Sequence, residues 1–208
     1  MMRDQFLRGV EVVQTAVGDP RVAQAWNEPS ILEFQTVGSL ASHLARGGVW
    51  AVAEYLDAEP PSPDTANAIE TAAEYFASID LSPEDHAAVR QRGATIAQDG
   101  PEVVNDRLAE GVEGLRRRLA DEPEDRRVTV YGGMVMPLDD YLWTRIVEQV
   151  VHLDDLARSL QIDPWPNAAD AAALVVSCGA EIGRRRFGDA RMIRALFRPD
   201  PDSTLRLI

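Results

Sequence analysis

Two side chains in the second half of the chain could bind one divalent metal ion together. Glu148 and His152 lie four residues apart in an apolar segment with helical periodicity. At this spacing they fall on the same face of a helix, one turn apart. A carboxylate and an imidazole so placed can act as paired ligands, as in helical zinc motifs. The same spacing is also common in solvated surface pairs, so a metal site needs a third ligand from elsewhere.

His43 is the third candidate ligand. Its neighbours Leu40 and Leu44 belong to the apolar stripe of a predicted helix, which turns the imidazole into or beside a bundle interior. Bundles assemble metal sites from side chains on facing helices. Two imidazoles, one carboxylate and an open position form a catalytic arrangement for Zn²⁺, and the same set suits Fe²⁺, Mn²⁺ or Ni²⁺. From spacing alone, a hydrogen-bonded core histidine remains an alternative.

Two charged residues extend the helix face by one turn in each direction. Arg145 could orient Glu148 or hold an anionic substrate. It could equally pair with Tyr141 or Asp140 on the helix surface. Asp155 could accept the second N–H of the imidazole one turn before it and fix its tautomer, as carboxylates behind metal-binding histidines do. A cap or surface role is the alternative for Asp155.

Three other groups of reactive side chains are assigned no chemistry. His86 follows two acidic residues in the first turn of a predicted helix, and we expect it to be exposed. Cys178 lies on a largely apolar helix without a basic partner nearby in sequence, so we expect a core residue rather than a nucleophile. The arginines at 184–186 could attract an anionic cosubstrate, but they also suit the positive charge favoured at a helix C-terminus.

Helical periodicity dominates the chain and predicts the elements that must position these residues. A short β-hairpin is predicted for residues 127–136, around two consecutive glycines. Thr36 suits an N-cap, and Ser82 with Pro83 suits the N-cap and first position of another helix. The sequence therefore predicts an all-α fold, a four-helix bundle with extra short helices and one small β-hairpin. The predicted helices lie near residues 4–17, 36–56, 65–78, 83–97, 101–120, 137–160, 168–186 and 190–197.

Length and composition bound the class of protein. The chain has 208 residues, of which 45% are hydrophobic, and we expect residues 1–208 to form a single helical domain with no C-terminal domain. Its formal net charge of −13 argues against nucleic-acid binding, because phosphate contacts need clustered basic residues.

The sequence also indicates where the protein resides. No apolar run approaches the ~18 residues that span a membrane, and the N-terminus lacks the apolar region of a signal peptide. One cysteine excludes an internal disulfide. We therefore expect a soluble cytoplasmic protein with no membrane partner. A homodimer through exposed bundle faces is compatible with the sequence.

The chain resembles the mycothiol-dependent maleylpyruvate isomerase N-terminal family, part of the DinB-like superfamily of metal-binding four-helix bundles. The resemblance extends from the first helix to about Arg198. It implies a DinB-like bundle, and it implies His43, Glu148 and His152 as metal ligands, with Zn²⁺ as the favoured metal. It rests on two motifs, Thr36-Val37-Gly38-x-Leu40-x-x-His43-Leu44 and Arg145-x-x-Glu148-x-x-x-His152-x-x-Asp155-Leu156.

The resemblance implies a metal-dependent enzyme that uses a thiol. In such an isomerase or S-transferase, the divalent metal activates a low-molecular-weight thiol, mycothiol in the family, for attack on a small-molecule substrate. Addition to an activated alkene followed by elimination isomerises the double bond, whereas transfer to an electrophile gives S-transferase chemistry. The alternative is a non-catalytic metal- or small-molecule-binding bundle with a stress or regulatory role. A purely structural dimerisation module is the third possibility.

Overall fold

The chain folds into helices joined to one small antiparallel sheet. The structure, a computed structural model, describes residues 2–62, 67–166 and 169–198. The predicted all-α fold with one β-hairpin is confirmed. In chain order the elements are α1 (Met2–Val17), α2 (Pro20–Gln24), α3 (Val37–Ala45), a π-helical turn (Arg46–Trp50), α4 (Ala51–Asp57), α5 (Ala72–Ser78), α6 (Pro83–Ala97), α7 (Pro101–Asp121), β1 (Arg127–Thr129), a 3₁₀ turn (Tyr131–Gly133), β2 (Val135–Pro137), α8 (Leu138–Leu160), α9 (Ala169–Phe187) and α10 (Asp189–Phe197).

Side-chain caps fix the starts of the two helices that flank the candidate site. The Thr36 hydroxyl accepts a hydrogen bond of 3.1 Å from the Ser39 N–H and so caps α3. At α6, Ser82 and Asp85 form a capping box, with Pro83 in the first turn. These residues satisfy backbone N–H groups that a helix start leaves without intrahelical partners. Both predicted N-caps are confirmed.

The helix predicted for residues 65–78 begins later than expected, at Ala72. The first two residues of that prediction lie outside the described residues. Asn67 and Ile69 instead exchange backbone hydrogen bonds of 3.0 and 2.8 Å with Val135 of β2. The prediction was wrong for this stretch, because pairing with the hairpin gives its backbone the partners that a helix would otherwise supply. Similarly, residue 168 of the predicted 168–186 helix lies outside the described residues, and α9 begins at Ala169.

The main core lies between α1, the α3–α4 helix, α7 and α8, with α6 packed across α3 and α9 packed on α5 and α8. The apolar face of α1 points inward. Among the described residues, none of the helices is long and apolar enough to cross a membrane. Core side chains that are at most 1% exposed include Phe6, Val10, Val13, Val17, Leu40, Leu44, Leu108, Leu142, Ile146 and Leu153.

The helix predicted for residues 36–56 is interrupted by the π-helical turn (Arg46–Trp50). Two consecutive glycines in this turn present their carbonyl groups to α8. The Gly47 oxygen accepts from Arg145 Nη1 at 3.0 Å, and the Gly48 oxygen accepts from Gln149 Nε2 at 2.9 Å. Short π-helical segments of this kind are frequent at functional sites. Through these two hydrogen bonds the turn connects α3 to α8 beside the candidate ligands.

Candidate metal centre

Helices α3 and α8 bring together three side chains that could hold a metal ion. One potential ligand atom from each of His43, Glu148 and His152 lies within 4.8 Å of the others. His43 Nε2 and His152 Nε2 are each 3.5 Å from Glu148 Oε2. The two imidazole rings meet edge to face, with centroids 4.8 Å apart. The side chains are about one-fifth exposed, so the group is partly shielded but open on one side.

Asp155 contacts the outer nitrogen of His152. Its Oδ2 lies 3.1 Å from Nδ1 of the imidazole. If Nδ1 carries the proton, it donates to this carboxylate, and Nε2 is left with a lone pair that faces Glu148. The contact corresponds to the first of the two roles that the sequence suggested for Asp155. It orients the ring and selects the nitrogen that a metal ion would meet.

The charges of this group are strongly coupled. Burial opposes the negative charge of Glu148, but His152, His43 and the guanidinium of Arg145 outweigh it and hold the pKa of Glu148 well below its usual range. Burial likewise opposes a charge on His152, but the carboxylates of Asp155 and Glu148 raise its pKa to about 9. Without a bound metal ion, the raised pKa favours a protonated His152 at neutral pH.

That proton would make the binding of a metal ion at this group dependent on pH. A histidine coordinates a metal only as the neutral imidazole, and the pKa of His152 is raised to about 9 in the metal-free protein. Binding at pH 7 must therefore displace this proton, so the apparent affinity for Zn²⁺ should rise about tenfold per pH unit up to about pH 9 and then level off. Competition with a chelator between pH 6 and 10 measures the slope. A flat profile would contradict the proton displacement.

The π-helical turn forms one wall of the site. A Cβ atom built on Gly47 would lie 3.6 Å from Glu148 Oε2 and 3.6 Å from His43 Cε1. A larger side chain at this position would therefore occupy space beside the candidate ligands. Arg145, which donates to the Gly47 oxygen, also donates from Nε to Thr144 Oγ1 at 3.0 Å. The arginine thus connects the turn to α8 next to Glu148.

A cavity of about 700 Å³ opens beside the three side chains. Its walls include Tyr55 and Tyr75, which the sequence did not single out, and Arg186 from the arginine run at 184–186. The guanidinium of Arg186 is fixed by bonds of 2.6 and 2.7 Å to the carbonyl oxygens of Phe76 and Ile79. No local pattern marks Tyr55 and Tyr75, because separate elements bring them to the cavity.

The remaining candidates fall largely where the sequence placed them. His86 is exposed, at the rim of the cavity. Arg184 and Arg185 pair with Glu181 on the last turns of α9. Cys178 is 1% exposed within the core, as expected. None of these residues belongs to the three-residue group.

The Cys178 thiol should be unreactive in the folded protein. Burial, with smaller contributions from nearby carboxylates, raises its pKa to about 11. Because the thiolate is the reactive form, we expect a disulfide reagent such as dithionitrobenzoate to modify almost no thiol per chain at pH 7. One thiol per chain should react after unfolding in guanidinium chloride. Rapid modification of the folded protein would show that Cys178 is accessible and could itself serve as a nucleophile.

Comparison with known proteins identifies the family. The model of the family described as the mycothiol maleylpyruvate isomerase N-terminal domain matches residues 6–157, well over half of the 208 residues. Comparisons with curated proteins and with solved structures gave no significant match. The matched segment contains α3, α8 and all three residues of the candidate centre. The chain belongs to the mycothiol maleylpyruvate isomerase N-terminal domain family.

Proposed function

We propose that the chain is a metal-dependent enzyme that uses a low-molecular-weight thiol, of the mycothiol-dependent isomerase or S-transferase type. His43, Glu148 and His152 are its metal ligands, and mycothiol is the thiol that the family suggests. The observation that carries the proposal is the convergence of three ligand atoms within 4.8 Å beside a cavity of about 700 Å³. This volume falls in the range of small-molecule sites.

The donor set fits a catalytic metal site. Two imidazole nitrogens and one carboxylate oxygen leave the fourth position of a tetrahedral Zn²⁺ open, which is why Zn²⁺ is the metal that we favour. The Nδ1 contact of His152 with Asp155 leaves Nε2 directed toward Glu148. His43 also presents its Nε2 to that carboxylate. Each side chain therefore offers one atom to the same small volume.

Residues around the candidate metal site would orient its ligands, adjust its charge and bind the electrophile. A bound divalent ion would supply Lewis acidity that lowers the pKa of a coordinated thiol and gives a thiolate at neutral pH. Asp155 fixes the tautomer of His152, and Arg145 adds positive charge beside Glu148. The cavity holds the electrophile near the open position, which raises its effective concentration there. We further propose a cytoplasmic location, where small thiols are kept reduced.

Cobalt substitution tests the proposal. The Co²⁺-loaded protein is titrated with mycothiol and, separately, with the alcohol analogue in which oxygen replaces sulfur. We expect a near-ultraviolet band from thiolate-to-cobalt charge transfer with mycothiol alone. The Cys178→Ala variant should show the same band, because the buried Cys178 is not its source. A cobalt spectrum that mycothiol leaves unchanged would overturn thiol activation and favour a non-catalytic metal-binding bundle.

A further inference from the structure

The phenol group of Tyr141 has no hydrogen-bond partner among the described residues. Tyr141 is 1% exposed, and its hydroxyl oxygen is buried without a bond. Buried tyrosine hydroxyls usually find a partner, because an unpaired polar group in the interior costs free energy. Tyr141 is also a wall residue of the cavity beside the candidate metal centre. A molecule bound at this wall could supply the acceptor that the Tyr141 hydroxyl lacks.

A second unmet donor lies next to this phenol. The guanidinium carbon of Arg145 is 5.0 Å from the centre of the Tyr141 ring. Arg145 uses Nη1 and Nε for its bonds to Gly47 and Thr144, which leaves Nη2 without a hydrogen bond in the part of the chain that the structure describes. A guanidinium offers five N–H donors and no acceptor. It therefore adds both positive charge and a free donor to the same wall.

Two further phenols complete this part of the cavity. The ring of Tyr55 meets that of Tyr141 edge to face, with centroids 5.2 Å apart, and Tyr75 also lines the wall. Burial raises the pKa of Tyr75 to about 12 and raises the pKa of Tyr141 further. Tyr75 and Tyr141 therefore stay protonated at working pH and can donate hydrogen bonds. They cannot act as bases.

The spacing along α8 relates these donors to the candidate ligands. Tyr141, Arg145 and Glu148 occupy successive turns of one face. With a rise of about 1.5 Å per residue, the backbone positions of Tyr141 and Glu148 are about 10 Å apart along the helix axis. A small molecule that extends from the open metal position toward Tyr141 can thus place one of its oxygen atoms against these donors. Its reacting carbon, several bonds away from that oxygen, then lies nearer the metal position.

The cavity also differs in charge from the rest of the protein. Its walls carry five arginines and four carboxylates, whereas the whole chain has a formal net charge of −13. One of the four carboxylates is Glu148, whose charge a divalent ion would more than neutralise. An anionic group is therefore better accommodated at this wall than on the rest of the surface.

We propose that Tyr141 and Arg145, flanked by Tyr55 and Tyr75, form an oxyanion-binding subsite for a carboxylate or carbonyl oxygen of the electrophile. Its role in turnover rests on the proposed function. The thiolate sulfur forms a bond to the β-carbon of an α,β-unsaturated carbonyl compound, and the π electrons of the alkene move onto the carbonyl oxygen as an enolate. Donors to that oxygen stabilise the charge as it develops. Rotation and expulsion of the thiolate regenerate the alkene, or protonation at the α-carbon from solvent completes the addition.

Binding of a simple dianion tests the subsite without turnover. The full-length protein, with Zn²⁺ and after metal removal, is titrated calorimetrically with succinate and with its uncharged diamide, succinamide. We expect succinate to bind at least about tenfold more tightly than succinamide, one well-formed charged interaction being worth that much. The Tyr141→Phe variant should lose about tenfold in succinate affinity in both metal states.

Two controls separate binding from folding. Tyr131→Phe also removes a phenol at the cavity, but the Tyr131 hydroxyl is already bonded to Asp85 at 2.9 Å, so succinate affinity should not change. The melting temperature of Tyr141→Phe should equal or exceed that of the parent, because an unpaired buried hydroxyl is removed. Equal succinate affinity in the parent and Tyr141→Phe, or a lower melting temperature in Tyr141→Phe, would overturn the subsite.

The two proposals fail in different ways. In one outcome, succinate binding depends on Tyr141 but mycothiol does not change the cobalt spectrum. This result would overturn the proposed thiol enzyme and would still support the subsite. In the other outcome, mycothiol changes the cobalt spectrum but the Tyr141→Phe substitution does not change succinate affinity. This result would overturn the subsite alone.

Discussion

Purified His152→Ala protein is expected to carry almost no metal, whereas the parent chain should carry close to one divalent ion. The substitution removes one of three candidate ligands and leaves the low-pKa carboxylate of Glu148 with a single imidazole partner. Loss of a residue that merely supports a ligand costs about 10–100-fold in metal affinity, and loss of a ligand itself should cost more than 100-fold. Elemental analysis by plasma mass spectrometry, on protein purified without added metal, gives the ratio.

His86→Ala is the matched control for this experiment. His86 is an exposed histidine at the cavity rim, outside the three-residue group. Its variant should retain the metal content of the parent. Equal metal content in the parent and His152→Ala would contradict the assignment of His152 as a ligand.

Gly93→Ala is expected to destabilise the protein by about 1–3 kcal/mol, the usual cost of overpacking. A Cβ atom at this position of α6 would lie 2.8 Å from the backbone oxygen of Ser39 in α3. Because that oxygen belongs to a helix, α6 and α3 must separate to admit the methyl group. Elsewhere in a helix the same substitution stabilises by about 1 kcal/mol. Urea-induced unfolding measures the change in the free energy of unfolding.

Gly114→Ala provides the contrast. Gly114 lies within α7, is exposed, and has no heavy atom within 4 Å of a Cβ built on it. Alanine should therefore stabilise the protein by up to about 1 kcal/mol. The two variants should shift stability in opposite directions, and shifts of the same sign would show that the α3–α6 crossing is not as tight as described.

The Gly93 Cβ would also lie 3.4 Å from the Cβ of His43, so the Gly93→Ala variant should weaken metal binding as well.

Regular periodicity made it predictable that the three candidate ligands lie together. Glu148 and His152 share a helix face by spacing, and His43 follows from its place beside the apolar stripe that Leu40 and Leu44 define. In each case the signal is local, because a helix that buries one stripe fixes the directions of its other side chains.

Contacts between distant segments were not predictable. The π-helical turn depends on Arg145 and Gln149 reaching the carbonyls of Gly47 and Gly48, and only the glycine pair is visible in the sequence. The late start of α5 depends on pairing between Ile69 and the hairpin. Tertiary contacts of this kind override local propensity. They also place the phenols of the proposed oxyanion subsite.

X-ray absorption at the edge of the metal that copurifies with the protein tests the central proposal most directly. Without thiol, we expect a shell of nitrogen and oxygen neighbours that includes two imidazoles. Addition of mycothiol should introduce one sulfur neighbour, at about 2.3 Å if the metal is zinc. A protein with no bound metal, or a metal shell that mycothiol leaves without sulfur, would contradict the proposal that this centre activates a thiol.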